Sequence, residues 1–394
     1  MDVFGKCHAF RDDKAVEALG VYPFYKAISE RPAPNEIVCG GRRVLMAGSN
    51  DYLALATDPR PAAAATEALR RHGTGNSGSR MANGTLALHE ELEGRLAEFL
   101  GHEAAMVTST GYQANLALAP LFGPDDVLLA DRAMHASFVD AVRLGRSRLL
   151  RFRHNDMEHL GRLLNETSPD SGRLIATEGM FSTSGDLCDL PGIGKLAGRH
   201  GARVVLDGAH DIGLLGENGR GAAEYYGMPS AVDLHTLTFS KCFGTIGGAV
   251  AGPEEVIRYL RHHARAAVYT ASLPAGDTAA ALAALDIIRT EPERRRRVLA
   301  TGERLGAGLD TLGFTTTRAG TPTIPVHVGE TLRCFRFWTE LFHEGVFTNA
   351  MVPPGVPEGR ALIRVSVTAT HTPAQVDRIL EAFATAGRRL RLID

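Results

Sequence analysis

Three short segments carry residue types able to do covalent or proton-transfer chemistry. In TFSKCFGTIGG, Lys241 follows the apolar run LHTLTF and precedes a glycine-rich turn. A lysine at the end of a buried strand is costly unless it is paired or covalently used. Lysine forms Schiff bases with carbonyl compounds, and desolvation turns its amine into a usable nucleophile. In LDGAH, Asp207 ends the run ARVVL and His210 follows three residues later. A carboxylate at the C-terminal end of a parallel strand sits where open α/β sheets bind ligands. In STGYQAN, Ser109, Thr110 and Gly111 follow the run AAMVTS and open a helix. They would offer hydroxyl and backbone N–H groups to an anion. Each feature alone also has an ordinary structural use, as a surface lysine, a helix-capping aspartate or an N-cap.

Their order adds information. An anion cradle, a strand-end Asp and, about thirty residues later, a strand-end Lys follow one another. Pyridoxal phosphate needs an anion site, an acidic partner for its pyridinium nitrogen and a Schiff-base lysine. The segment Gly73–Gly78, GTGNSG, matches a dinucleotide fingerprint in letters only. The residues before it read as a helix and no helix opens at Gly78, so a nicotinamide or flavin site is not expected. Its glycines suit a close backbone approach to a ligand or another subunit.

The elements that must position these groups are legible from about Glu103 onward. The runs AAMVTS, DVLLAD, RLLRFR, RLIATE, ARVVLD, LHTLTF and GGAVAG read as strands, separated by helices such as ASFVDAVRL and MEHLGRLLN. Continuous apolar runs imply strands buried on both faces, and the alternation implies a mainly parallel seven-stranded sheet. In LALHEELEGRLAEFLG, Leu88, Leu92, Leu96 and Phe99 share one helix face. TIPVHV and IRVSVT read as later strands, with helices near Phe335–His343 and in PAQVDRILEAFATAG. The expected organisation is an N-terminal arm over 1–45, a large cofactor-binding α/β domain over 46–285 and a smaller α+β C-terminal domain over 286–394. The arm reads as a polar helix followed by a Pro-containing segment.

Composition limits the alternatives. The 394 residues are 44% hydrophobic and 22% charged, enough for a large core. A net charge of -2 removes the electrostatic case for nucleic-acid binding. The Arg294–Arg297 run reads as a solvated helix face. Cys7, Cys39, Cys188, Cys242 and Cys334 show no metal-site or disulfide spacing, which fits the cytoplasm and no metal. The N-terminus lacks a signal-peptide core, and no apolar run approaches the roughly 20 residues of a membrane span.

From about Ala18 to His371 the chain resembles the α-oxoamine synthases, pyridoxal-phosphate enzymes of fold type I. The motifs are SNDYLAL, GTGNSGSRMANGT, HEELEGRLAEFLG, STGYQAN, DRAMHAS, HND, EGMFSTSGD, DGAHDIGLLGENGRG, TFSK and IRVSVTATHT. Within the family, ALGVYPFYKAIS, RVLMAGSNDYL and SVTATHT resemble bacterial serine palmitoyltransferases most. The resemblance implies that Lys241 forms the Schiff base and Asp207 pairs with the ring nitrogen. It implies that His210 bonds the phenolic oxygen with Ser182 nearby, and that His135 stacks on the ring. Gly111, Tyr112 and Thr238 would hold the phosphate edge, completed by Thr270 and Ala271 across a homodimer interface. Arg364 would bind the substrate carboxylate, assisted by Asn50; a guanidinium donates two parallel bonds to such a group. The implied reaction is a decarboxylative condensation of an amino acid, serine first, with an acyl-CoA, giving an α-amino ketone. Alanine or glycine, or an acyl-carrier-protein thioester, in natural-product or biotin-type biosynthesis, are the alternatives. An aminotransferase or aldolase of the same fold and a non-catalytic subunit are the readings of other classes. Three positions depart from the family pattern: Gly208 where a second acid is usual, Asp211 where Gly or Ser is usual, and Ser184 in place of an acid.

Overall fold

The computed structural model describes residues 2–394, which fall into two units. The smaller comprises residues 2–49, 183–185 and 298–394. Its two short N-terminal helices, Gly5–Ala9 and Asp12–Ala18, bury no residue. Next come three antiparallel strands, β1 (Ile28–Ala33), β2 (Glu36–Cys39) and β3 (Arg42–Met46). Only a polar helix and a Pro-containing segment were expected here. The strands form because Ile37, Cys39 and Val44 share a small core with Met46, Phe342 and Phe347. Pro32 is tolerated because β1 lies at the sheet edge.

The larger unit, residues 50–182 and 186–297, is built on a seven-stranded sheet. Its strands are β4 (Ala104–Thr108), β5 (Val127–Asp131), β6 (Arg148–Phe152), β7 (Arg173–Glu178), β8 (Arg203–Asp207), β9 (Leu234–Thr238) and β10 (Gly248–Gly252). They follow the order β4-β10-β9-β8-β7-β5-β6. All neighbours are parallel except β10, which runs antiparallel to β4 and β9. Side chains alternate across the sheet. Leu128 and Ala130 enter the core layer that holds Phe138 and Leu260, whereas Val127 and Leu129 enter the layer that holds Leu160 and Ile193. Both faces are therefore covered by helices, which is why these strands read as unbroken apolar runs. The helix Ala87–Leu100 buries Leu92, Leu96 and Phe99, with Leu88 only partly buried.

The smaller unit continues with β11 (Thr323–Gly329), β12 (Val346–Phe347), β13 (Asn349–Met351) and β14 (Ala361–Ser366). β14 is the central strand of an antiparallel trio, between β11 and β13. The two-residue β12 adds to β3 in parallel. The helices Thr331–His343 and Pro373–Arg389 bring Phe337 and Phe383 into an aromatic contact within this unit. Among the described residues no helix is long and apolar enough to cross a membrane.

Candidate active site

Strand direction gathers the chemistry at one edge. β4, β5, β7, β8 and β9 all end there, because two antiparallel steps through β10 return β4 to the direction of β9. The open C-terminal edge of such a sheet is where α/β folds bind ligands. A cavity of about 280 Å³ lies there, within the larger unit. Its lining includes Gly111, Tyr112, His135, Asp207, His210, Thr238 and Lys241. Seven of the expected site residues thus meet around one space.

Lys241 follows β9 in a turn and is half-buried. Asp207 is the last residue of β8 and is 4% exposed. Its Oδ1 accepts from Ala209 N at 3.0 Å and its Oδ2 from Asn115 Nδ2 at 2.8 Å. His210 is buried, and its Nδ1 lies 2.7 Å from the Tyr52 hydroxyl. His135 caps the helix Ala136–Gly145. Desolvation holds its pKa below the usual imidazole value; Asp207 opposes this and Lys241 reinforces it.

The anion end is built by close backbone packing. Thr110 caps the helix Gly111–Leu116 by accepting from Gln113 N at 3.1 Å. The first N–H groups of that helix, at Gly111 and Tyr112, have no acceptor within it. A Cβ on Gly111 would lie 2.5 Å from Thr238 Cβ, and one on Gly248 would lie 2.7 Å from the Gly111 nitrogen. Only glycine lets the helix start sit this close to β9 and β10. The Thr238 and Ser240 hydroxyls lie 2.8 Å apart beside it.

The remaining expected residues do not line this cavity. Ser182 donates its N–H to Glu178 Oε2 at 3.1 Å. Thr270 Oγ1 accepts from Gln113 Nε2 at 3.2 Å, and Ala271 O accepts from Ser109 Oγ at 2.6 Å, so both pack against the segment that carries the anion end. Asn50 belongs to the same unit as the cavity, and its carbonyl accepts from Tyr52 N at 2.8 Å. Arg364 lies in the smaller unit, 4% exposed in the middle of β14, and donates to Thr323 Oγ1 at 3.3 Å. Gly208 and Asp211 do not line the cavity either. A Cβ on Gly208 would meet Ile212 Cδ1 at 2.3 Å, while Asp211 accepts from Ala222 N at 2.6 Å. Burial raises the Asp211 pKa to about 7. The Gly73–Gly78 segment packs on its own unit, with Asn76 Nδ2 donating to Ser272 Oγ at 2.8 Å.

Four lining or supporting residues were missed: Tyr52, Asn115, Ser137 and Glu178. Glu178 ends β7 directly opposite Asp207 on β8 and is 3% exposed. Burial, reinforced by Asp207 and opposed by Lys241, raises its pKa to about 8. It ends a buried strand as Asp207 does, so the same sequence signal was available. Tyr52, Asn115 and Ser137 lie within or beside quoted motifs, but nothing in their types marks them.

A lysine amine, a buried carboxylate, an imidazole and a donor-rich anion end surround one cavity. These residues fit pyridoxal phosphate.

Residues 42–383 match the family described as aminotransferase class I and II. The chain is 38% identical over 387 residues to a serine palmitoyltransferase of Bacteriovorax stolpii, covering 96% of this chain and 92% of that one. It is 40% identical over 376 residues to an 8-amino-7-oxononanoate synthase of Symbiobacterium thermophilum, covering 95% and 96%. Among solved structures, a serine palmitoyltransferase variant from S. paucimobilis with a bound PLP–myriocin aldimine superposes with a TM-score of 0.97. It is 33% identical, and the match covers all of both chains.

Proposed function

Because the chain belongs to the aminotransferase class I and II family and, within it, to the α-oxoamine synthases, we propose that it condenses serine with an acyl-CoA. The reaction releases the thiol and carbon dioxide and leaves an α-amino ketone. The protein is a pyridoxal-phosphate-dependent C-acyltransferase. The observation that carries the choice of serine is the end-to-end match to serine palmitoyltransferases in sequence and in fold.

When bound, pyridoxal phosphate supplies an electron sink for the carbanion at the amino acid's α-carbon. In this reading Lys241 Nζ would hold the cofactor covalently and would be the base for the amino acid's α-proton. Asp207 keeps the ring nitrogen protonated by pairing with it. His210, held by Tyr52, donates to the phenolic oxygen, with Ser182 close by. His135, which lines the cavity, would pack against the cofactor and orient the substrate. The N–H groups of Gly111 and Tyr112, with Thr238, hold the phosphate. In a homodimer, Thr270 and Ala271 complete that site for the neighbouring subunit. Arg364, assisted by Asn50, holds the substrate carboxylate and selects the bond to be broken.

The identity to an 8-amino-7-oxononanoate synthase supports a second reading, the same condensation with alanine or glycine. One experiment separates these. The loaded protein is mixed in turn with serine, alanine and glycine, its absorbance is recorded, and a long-chain acyl-CoA is added. A spectral change with serine, followed by thiol and carbon dioxide release, is the expected result. The same sequence with alanine or glycine instead selects the second reading. Conversion of the cofactor to its pyridoxamine form with a keto acid, and no thiol release, would overturn both in favour of an aminotransferase.

A further inference from the structure

Along the cavity wall, polar side chains from separate elements form one continuous chain. Asn115 Nδ2 donates to Asp207 Oδ2 at 2.8 Å and to Ser137 Oγ at 2.9 Å. Thr236 Oγ1 donates to Asn115 Oδ1 at 2.8 Å. Ser137 Oγ lies 2.7 Å from His135 Nδ1, and the Ser137 N–H points to the same nitrogen at 3.3 Å. Asn115, Ser137 and Thr236 are 3%, 0% and 1% exposed, so bulk water does not compete for these bonds.

The directions of these bonds follow from valence. A carboxylate only accepts, so the Asn115 amide must turn its NH2 toward Asp207 and its oxygen toward Thr236. The second Asn115 hydrogen goes to Ser137 Oγ. The single hydroxyl hydrogen of Ser137 is then left for His135 Nδ1. With a backbone N–H also aimed at it, Nδ1 is an acceptor, and a neutral His135 carries its hydrogen on Nε2.

We propose that Asn115 and Ser137 are positioning residues, which hold Asp207 as an oriented acceptor and lock His135 in its Nε2–H tautomer. Two groups contributed by distant parts of the chain thereby face the reacting atoms with a fixed distribution of protons. Asp207 draws its partner Asn115 from another element, Ser137 belongs to the helix that His135 caps, and Asn115 ties the two together. The proposal rests on pyridoxal phosphate being the group that Asp207 and His135 serve.

The test uses Asn115→Ala, Ser137→Ala and Ser137→Thr. Nitrogen-15 NMR of histidine-labelled, cofactor-free protein reads the His135 tautomer, its signals identified by their loss in His135→Gln. The expected wild-type form is Nε2–H, shifting toward a mixture in Ser137→Ala and restored in Ser137→Thr. In the loaded protein, Asn115→Ala weakens pyridoxal phosphate binding about tenfold, the effect of losing a hydrogen bond to a charged group. It also moves the pH midpoint of the visible absorbance by about half a pH unit or more. A wild-type Nδ1–H tautomer, or a tautomer indifferent to Ser137→Ala, overturns the lock. Unchanged binding and an unchanged midpoint in Asn115→Ala overturn the hold on Asp207. If Asn115→Ala does not fold, the Ser137 pair decides the lock, and Thr236→Val, which removes the bond that orients the amide, decides the hold by the same two readouts. Wild-type protein with the expected tautomer but no affinity for pyridoxal phosphate would instead overturn the cofactor reading.

Discussion

Replacing Glu178 by glutamine isolates the charge of a buried acid from its shape. Glu178 faces Asp207 across the β7–β8 ladder, and Oε2 accepts from Ser182 N. Its pKa rises from 4.5 to about 8, chiefly through burial. At neutral pH the side chain is mainly protonated and already resembles a glutamine. The sign of the effect on stability follows. Between pH 4.5 and about 8 the folded protein keeps a proton that the unfolded chain has released, so stability falls as pH rises through that window. At about 1.4 kcal/mol per pH unit, the upper limit is roughly 5 kcal/mol. Relaxation around a buried charge reduces the expected effect to about 2–3 kcal/mol. Glu178→Gln should therefore match the wild type in urea unfolding near pH 4.5 and exceed it increasingly toward pH 8, measured on cofactor-free protein. Parallel stability profiles for the two proteins across that range would refute a protonated Glu178.

Lys241→Ala should abolish the visible absorbance of the bound cofactor, read by spectrophotometry after adding pyridoxal phosphate; full retention would remove Lys241 from its role. Gly111→Ala forces a methyl to within 2.5 Å of Thr238 Cβ. The strain, about 1–3 kcal/mol for an overpacked site, should lower both melting temperature and cofactor affinity, the latter by equilibrium titration. His154 bonds Asp131 at 3.0 Å and Asp186 at 2.8 Å. Burial alone would lower its pKa, but these two bonds raise it to about 10. A raised histidine contributes stability fully below its unfolded pKa and loses it as pH rises through the folded one. His154→Gln should thus cost about 1–2 kcal/mol at pH 6, allowing for its partial exposure, with the deficit closing toward pH 10 in denaturant titrations.

Much of the large unit was legible in one dimension because its physics is local. The runs from AAMVTS to GGAVAG became β4–β10 with ends displaced by a residue or so, since a strand covered on both faces must be apolar throughout. Lys241, Asp207, His210 and Gly111 could be placed at strand ends for the same reason. The strands at 28–46 were missed because their stability comes from distant partners: β3 pairs with β12, and Phe342 and Phe347 complete their core. No local pattern announces such a pairing.

The sequence by itself determined which elements form and which residue types stand at their ends, because burial and turn chemistry act over a few neighbouring positions. Tertiary structure alone decided who meets whom. The strand order carries Gly111 against Thr238, and it sets Asn115 beside Asp207 across 92 positions of chain. It also decided the charge of Glu178, because desolvation depends on every neighbour packed around a carboxyl and on the sign of the groups facing it, and no stretch of sequence lists those.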